Sequence, residues 1–242
     1  MSNTILNWSG GKDACLALHK LAADDNYTVN KLLTTINKSR GRITMHGVRT
    51  DVLNAQVNAL GYELEFVELP ENITMNRYSE IIGNKAKQHQ ENGAEVYAYG
   101  DINLIDLRKF RDAEISQYNL KTTYPLWNKT TKDLGVLFLE LGYKAIVVAI
   151  SSDKLDESFC GRAYDQSFLD DLPAGVDPCG ENGEFHTFVY DGPMFNHPIN
   201  LQVGKKTYQT YSPSKEDDNC FCSKQEQKDW DTGFWFCDLT LA

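Results

Sequence analysis

The sequence predicts an α/β protein built on a doubly wound parallel sheet, followed by a smaller mixed α+β domain. Three observations carry this expectation. Apolar runs of strand length alternate with helix-period segments through the first half, a glycine loop stands between the first strand and the first helix, and the texture changes after Ser151, where prolines and glycines cluster. Strands separated by helices of this length pair in parallel through right-handed crossovers. In such sheets ligands sit at the carboxyl ends of the strands, where strand order reverses.

The elements follow in order. The run Thr4-Ile5-Leu6-Asn7-Trp8 reads as the first strand, and the helical pattern Cys15-Leu16-Ala17-Leu18-His19-Lys20-Leu21-Ala22 follows its loop. Residues 29–36 read as a buried strand, 51–60 as a helix, 62–69 as a strand closed by Pro70, 75–90 as a helix, 95–99 as a strand and 105–119 as a helix. A helix over 130–141 and a strand over 143–150 extend the pattern, and β-like runs follow at 185–190, 199–208 and 234–239. Two domains are expected, 1–127 and 128–242, with the boundary somewhere between Trp127 and Ser152. The polar, charged stretch 212–231 reads as an exposed loop or hairpin insertion, and no internal repeat is present.

Composition bounds the function. At 242 residues, 41% hydrophobic and 24% charged, the chain has the make-up of a globular protein with a substantial core. Its formal charge of -10, from 24 basic and 34 acidic side chains, argues against a broad grip on nucleic acid, which requires Lys and Arg to neutralise phosphates. No apolar stretch has the length of a membrane span and the N-terminus lacks the pattern of a signal peptide, so a cytoplasmic protein with no membrane partner is expected. The six cysteines, Cys15, Cys160, Cys179, Cys220, Cys222 and Cys237, are scattered without a disulfide framework, so reduced thiols are the default. Cys220-Phe221-Cys222 with Cys237 could form a zinc site, but Cys-x-Cys lacks the usual spacer and no fourth ligand is evident, so paired surface thiols are the preferred reading. A homodimer is compatible with the sequence and not required by it.

The loop Ser9-Gly10-Gly11-Lys12-Asp13-Ala14 carries the first chemistry. Two glycines let the backbone approach an anion, and the helix that follows aims its unpaired N–H groups at it. Lys12 supplies a charge for phosphate oxygens and Asp13 a carboxylate for Mg2+. The spacing is not that of a Walker loop. An ordinary glycine turn is the alternative. The second informative stretch runs Gly175-Val176-Asp177-Pro178-Cys179-Gly180-Glu181-Asn182-Gly183-Glu184-Phe185-His186-Thr187-Phe188 and on through Asp191-Gly192-Pro193-Met194-Phe195. Its glycines permit a tight backbone that presents Glu181 and Glu184 to an amine, ammonia or magnesium ion. Solvated turn acids are the bland alternative.

The first loop resembles the Ser-Gly-Gly-x-Asp-Ser loop of the PP-loop ATP pyrophosphatases, with Ala14 where a hydroxyl usually stands. The second stretch resembles the Gly-Glu-Gly-Gly-Glu-x-x-Thr signature and following Asp-x-Pro-x-Phe of the diphthine ammonia ligase family, also called adenine nucleotide alpha hydrolases. His46-Gly47-Val48-Arg49, Gly100-Asp101-Ile102 and Tyr124-Pro125-Leu126-Trp127 agree in order, so the resemblance covers nearly the whole chain up to Phe195. It implies a HUP-type, Rossmann-like ATP-binding domain and a smaller C-terminal substrate domain. The implied activity is an AMP-forming ligase in which ATP adenylates a carboxylate-bearing substrate and ammonia displaces AMP.

By that resemblance Lys12, Asp13, Glu181 and Glu184 are the catalytic candidates. Ser9, Gly10, Gly11, Lys12, Asp13, Ala14, His46, Gly100 and Asp101 would bind ATP, with Asp13 on Mg2+. Arg108, Arg111, Gly180, Asn182, His186 and Thr187 would meet the substrate; the two arginines lie in the first turns of a helix and can clamp a carboxylate. Asn182 and the pair Phe185-His186 depart from the signature, and Leu107-Arg108-Lys109-Phe110-Arg111 stands where archaeal and eukaryotic members have Tyr-Gln. The chain therefore resembles the bacterial branch, for which a diphthamide substrate is not expected. A nucleotide-binding sensor without catalysis and a tRNA-modifying PP-loop enzyme are the alternatives.

Overall fold

Strand β1 (Ser2–Asn7) is the centre of the first sheet, and its alternation is visible in where its neighbours point. Leu6 packs into one apolar core with Leu32, and the adjacent Ile5 packs into another with Leu33, so the two faces of the sheet are covered by different layers. The structure is a computed structural model that describes residues 1–71, 73–211 and 232–242. The expected insertion at 212–231, with Cys220 and Cys222, lies outside the described residues.

On one side of β1 runs β2 (Tyr27–Asn37), parallel to it, and β2 carries β4 (Glu63–Leu69), again parallel. A two-residue β3 (Arg42–Ile43) pairs antiparallel with the end of β2. On the other side β1 pairs in parallel with β5 (Val96–Ala98), and β5 with β6 (Lys121–Thr123). The chain builds outward from β1 in one direction and then restarts on its other edge, so strand order reverses between β1 and β5. The glycine loop leaves β1 at that switch point.

Helices α1 (Lys12–Ala22) and α2 (Thr50–Leu60) bury Leu16, Leu18, Val52, Leu53 and Val57 in one core. Helices α3 (Met75–Glu91) and α4 (Ile105–Ser116) bury Ile82, Ala86 and Ile115 in the other. Helix α3 starts where the Thr74 hydroxyl accepts from Arg77 N–H at 3.3 Å, and α2 stops at Gly61, whose φ of 76° a side chain would strain. The expected doubly wound α/β fold is present.

After β6 the chain passes Trp127 and enters α5 (Thr131–Glu140), capped by the Thr130 hydroxyl on Asp133 N–H at 3.2 Å. Strands β7 (Lys144–Ser151), β8 (Phe185–Asp191), β9 (Leu201–Tyr211) and β10 (Thr232–Leu241) form a second, antiparallel sheet in the order β8-β7-β10-β9. Short α6 (Gln166–Asp171) starts at Asp165, whose carboxylate accepts from Phe168 N–H at 2.9 Å. The second sheet packs on α1 and α2: Phe185 and Phe188 of β8, with Phe138 of α5, share their core, and Val189 N–H donates to the Gly10 carbonyl at 2.9 Å. Strands β3 and β6 and helix α6 were not expected from the sequence; the strands are two and three residues long, and the helix lies in a proline- and glycine-rich stretch.

Candidate functional site

The glycine loop is held from three sides. Gly10 takes a φ of 77°, and a Cβ there would stand 2.9 Å from Gln56 Oε1 and 3.0 Å from Leu53 Cδ1, so glycine is required by both conformation and space. Gln56, fully buried, accepts from Trp8 Nε1 at 3.0 Å and donates Nε2 to the carbonyls of Gly10 at 2.9 Å and Val189 at 2.6 Å. The Ser9 hydroxyl accepts from Gly11 N–H at 3.2 Å, and the Thr187 hydroxyl of β8 accepts from Lys12 N–H at 3.0 Å. The two loop donors nearest the turn are thus engaged by protein oxygens. Gly100, at the end of β5, packs against the next ones: a Cβ there would lie 3.1 Å from Ala14 N.

Lys12 points inward. Its side chain is 3% exposed, and Nζ donates to Asp13 Oδ2 at 2.8 Å and to the Cys179 carbonyl, below the rings of Tyr164 and Phe185. Burial opposes its charge, but the charge of Asp13 prevails and holds the ammonium's pKa above its ordinary value. Burial likewise lifts the Asp13 carboxyl, against the pull of Lys12. Both Asp13 oxygens face Lys12 Nζ, at 3.0 and 2.8 Å, while the side chain remains 28% exposed.

The acidic loop reaches this site through one of its two glutamates. Glu181 accepts from the N–H groups of Ile102 at 3.0 Å and Asn103 at 3.2 Å, joining the second signature to the turn after β5. Burial raises its carboxyl to about 7, against those two N–H groups, with the Asp13 charge adding to the rise. Glu184 is 2% exposed and bonds to its own loop: it accepts from Asp177 N–H at 3.1 Å and from Asn182 N–H at 2.9 Å and Nδ2 at 3.1 Å. Asn182 is exposed. Gly180 turns at a φ of 69°, where a Cβ would collide with the Phe185 carbonyl, and Asp177 pins the turn by accepting from Cys179 N–H at 2.8 Å.

His46 and His186 are in tilted contact, 4.6 Å between centroids at an interplanar angle of 41°, and His46 Nδ1 lies 3.3 Å from the Thr187 carbonyl. Burial and the Lys12 charge push His186 down to about 4; burial, His186 and Lys12 take His46 well below its ordinary value. Asp101 Oδ2 is 2.8 Å from Arg111 Nη1 as an ion pair but out of hydrogen-bonding alignment, and it is a buried oxygen with no hydrogen-bond partner among the described residues. Arg111 also covers the Tyr99 ring at 4.2 Å. Arg108 lies between Tyr124 and Trp127 at 4.8 and 4.4 Å, and lines a cavity of about 340 Å³ with Ile105, Lys109, Asp112, Trp127 and Asn128. A second cavity of about 310 Å³, around Met1, Tyr27 and Lys121, lies at the amino ends of the strands, away from the loop.

The structure thus gathers Lys12, Asp13, Glu181, His46, His186 and Thr187 around the loop, with Asp101 and Arg111 beside them. It turns Glu184 into its own turn and places Arg108 on a neighbouring cavity. Gln56 and Asp177 were missed from sequence. Gln56 carried a signal, being a polar residue on the apolar stripe Val52, Leu53, Val57 and Leu60 of a helix.

Strand, loop and helix together define an α/β protein of the PP-loop type. Comparison with family models makes the class specific: the diphthamide synthase N-terminal domain matches residues 2–122 and the diphthamide synthase C-terminal domain residues 130–216. The chain belongs to the diphthamide synthase family. Similar proteins include the diphthine--ammonia ligase of Bos taurus, 30% identical over 102 residues, and that of Homo sapiens, 29% identical over 102; each match covers 40% of this chain and 38% of the relative. The match therefore spans well under half the length of those relatives. Among solved structures, the U34-tRNA thiolase NcsA from Methanococcus maripaludis with its [4Fe-4S] cluster aligns at a TM-score of 0.37 and 19% identity, over 57% of this chain and 55% of that one.

Among the described residues no helix is long and apolar enough to cross a membrane, and no group of three or more His, Cys, Asp or Glu is placed to hold a metal ion.

Proposed function

We propose that this protein is an ATP-dependent, AMP-forming ligase that adenylates a substrate carboxylate and passes the acyl group to ammonia. The observation that carries the reading is Glu181: a carboxyl lifted to about 7 from the C-terminal signature, bonded to the turn after β5 and under the influence of the Asp13 charge. A substrate carboxylate oxygen would attack the α phosphorus, the bond to the β phosphate oxygen would break, and pyrophosphate would leave. Ammonia would then attack the acyl carbon, AMP would depart with the bonding pair, and Glu181 would take the proton from nitrogen. A base is most effective with a pKa near the working pH, which the burial of Glu181 supplies.

The first-turn N–H groups of Asp13 and Ala14, at the positive end of α1, would receive phosphate. Magnesium commonly binds nucleotides through one or two carboxylates plus phosphate oxygens rather than in an all-protein cage. Asp13, a hard oxygen ligand that stays partly exposed, fits that pattern and would hold it. The bound ion would offset charge developing on the leaving pyrophosphate. Glu184 would act as a positioning residue by fixing the turn that aims Glu181. The cavity beside Arg108 and Trp127, next to the turn that Glu181 grips, would take the body of the substrate, and the region 1–127 would be the nucleotide domain.

A second reading, a nucleotide-binding sensor without catalysis, has one observation in its favour: Lys12 Nζ is engaged by Asp13 and the Cys179 carbonyl. Release of AMP and pyrophosphate from ATP, assayed with ammonium and a panel of carboxylic acids, tests the ligase. Tight ATP binding with no pyrophosphate under any condition, and no effect of Glu181→Gln, would favour the sensor.

A further inference from the structure

Two half-buried imidazoles in tilted contact, one of them against a glycine loop, are an unusual way to furnish an anion site, because a neutral histidine offers only one N–H. The ring of His46 lies directly on Gly11: a Cβ on that glycine would come within 3.1 Å of His46 Cε1 and of the Thr187 carbonyl. A carbonyl can only accept, so the contact at 3.3 Å assigns the proton of the neutral ring to Nδ1. Nε2 is then the basic nitrogen, bonded to the Cε1 that meets Gly11.

The loop that presents His46 is pinned. Arg42 Nη1 donates to the Gly47 carbonyl at 2.6 Å, and Arg42 and Arg49 both pair with Asp238 of β10 at 2.9 and 2.6 Å. Gly47, at a φ of 66°, packs so closely on Phe236 that a Cβ would stand 2.8 Å from its ring. His46 is therefore presented by a braced turn.

We propose that His46, beside His186, is a proton acceptor for polyphosphate: a nucleotide binds at the start of α1 together with a proton, and His46 then presents a charged Nε2–H to a phosphate oxygen. This deepens the nucleotide reading given above and rests on it. The proton comes from solvent and is bound at Nε2, and no covalent bond is made or broken.

The surrounding charges explain why the proton waits for the ligand. From α1, Lys12 repels a charge on either ring, and Asp13 is paired with Lys12. From β8, His186 competes for the same proton, and the Thr187 carbonyl favours it on His46. From β3 and the following turn, Arg42 and Arg49 are positive, and from β10 Asp238 is occupied in neutralising them. The several negative charges of a polyphosphate reverse this balance, and because two adjacent imidazolium rings repel each other, one proton rather than two is taken up.

Calorimetry of ATP binding at about pH 7, in two non-phosphate buffers of different ionisation enthalpy, reads the proton count. Wild type should take up about one proton more than His46→Gln, and its affinity should fall roughly tenfold more per pH unit than that of the variant, since each bound proton enters the binding constant once. His186→Asn should keep the uptake, because His46 is the acceptor. Equal uptake by wild type and His46→Gln overturns the proposal while leaving nucleotide binding intact; no ATP binding by wild type overturns the nucleotide reading and the proposal with it. A folding failure in the variant is bypassed by NMR of the imidazole Cε1–H groups in wild type. The His46 signal should move to the imidazolium position when ATP is added, and a signal that stays neutral in the complex overturns the idea.

Discussion

The Glu181 carboxylate, on a loop of the C-terminal half, accepts the backbone N–H of Ile102, on the turn after β5, at 3.0 Å. Residues 79 apart in sequence thereby set the position of an acid that burial lifts to about 7. Glu181→Gln keeps the size and the accepting oxygen and removes the basicity. ATP binding should survive while ATP-dependent amidation falls about a hundredfold or more. The wild-type rate should rise with pH and level off above about 7, a profile the variant lacks.

The same group makes a stability prediction of opposite sense. A carboxyl whose folded-state pKa lies above its unfolded value binds its proton more tightly when folded. Its stabilisation is therefore full below the unfolded value, near 4.5, and is lost as pH rises through about 7. Urea denaturation at mildly acidic and mildly alkaline pH should show wild type losing stability across this window relative to Glu181→Gln. Parallel curves for the two proteins would contradict the burial argument.

Removing Lys12 should damage the fold as well as the site. Lys12→Met leaves the Cys179 carbonyl and the Asp13 carboxylate without their buried cation. Breaking one partner of a buried pair typically destabilises by about 3–5 kcal/mol, and Asp13, being 28% exposed, places the expectation at the lower end. Adding Asp13→Asn should recover part of the loss, as a double-mutant cycle in urea would measure.

Legibility followed length and periodicity. Helix α3 and strand β2 announce themselves over 17 and 11 residues, and the glycine loop is a local signal because strand end, glycines and helix start are contiguous. Strands β3 and β6 carry too few residues for a pattern and exist because neighbouring strands offer them partners. At the site, residue types were readable and directions were not. Two glutamates three apart in one glycine-rich turn look equivalent in sequence; Glu184 bonds its own loop and Glu181 bonds a distant one, and only the tertiary contacts separate them. Lys12 reads as a phosphate ligand, and its contacts with Asp13 and the Cys179 carbonyl are invisible in the sequence.

Gln56 tests the bracing of the loop. Gln56→Leu matches its bulk but strands Trp8 Nε1 and removes a donor to Gly10, each an unsatisfied buried group worth about 1–3 kcal/mol. Gln56→Glu should be worse, since its oxygen would replace a donor that faces the carbonyls of Gly10 and Val189. Thermal unfolding should rank wild type above Gln56→Leu and Gln56→Glu last.

Thr187 supplies the most discriminating test of where phosphate binds. Its hydroxyl accepts the Lys12 N–H at 3.0 Å, inside the loop whose donors an anion needs. Thr187→Val keeps the β-branched shape and deletes the acceptor, leaving a buried N–H unpaired. Without ligand the variant should lose about 1–3 kcal/mol of stability. If a phosphate oxygen can occupy the same donor, ATP with magnesium repairs the defect, and the rise in melting temperature on adding ATP will be larger in the variant than in wild type. If phosphate binds only farther along α1, at Asp13 and Ala14, ATP will raise both melting temperatures equally and the gap between the proteins will persist. The arrangement of Gly100 against Ala14 N favours this second outcome, because the space there is already shaped by the absence of a side chain. We therefore expect equal shifts, with Thr187 serving as a permanent cap on the first N–H of α1, and a larger shift in the variant would move the phosphate seat toward Lys12.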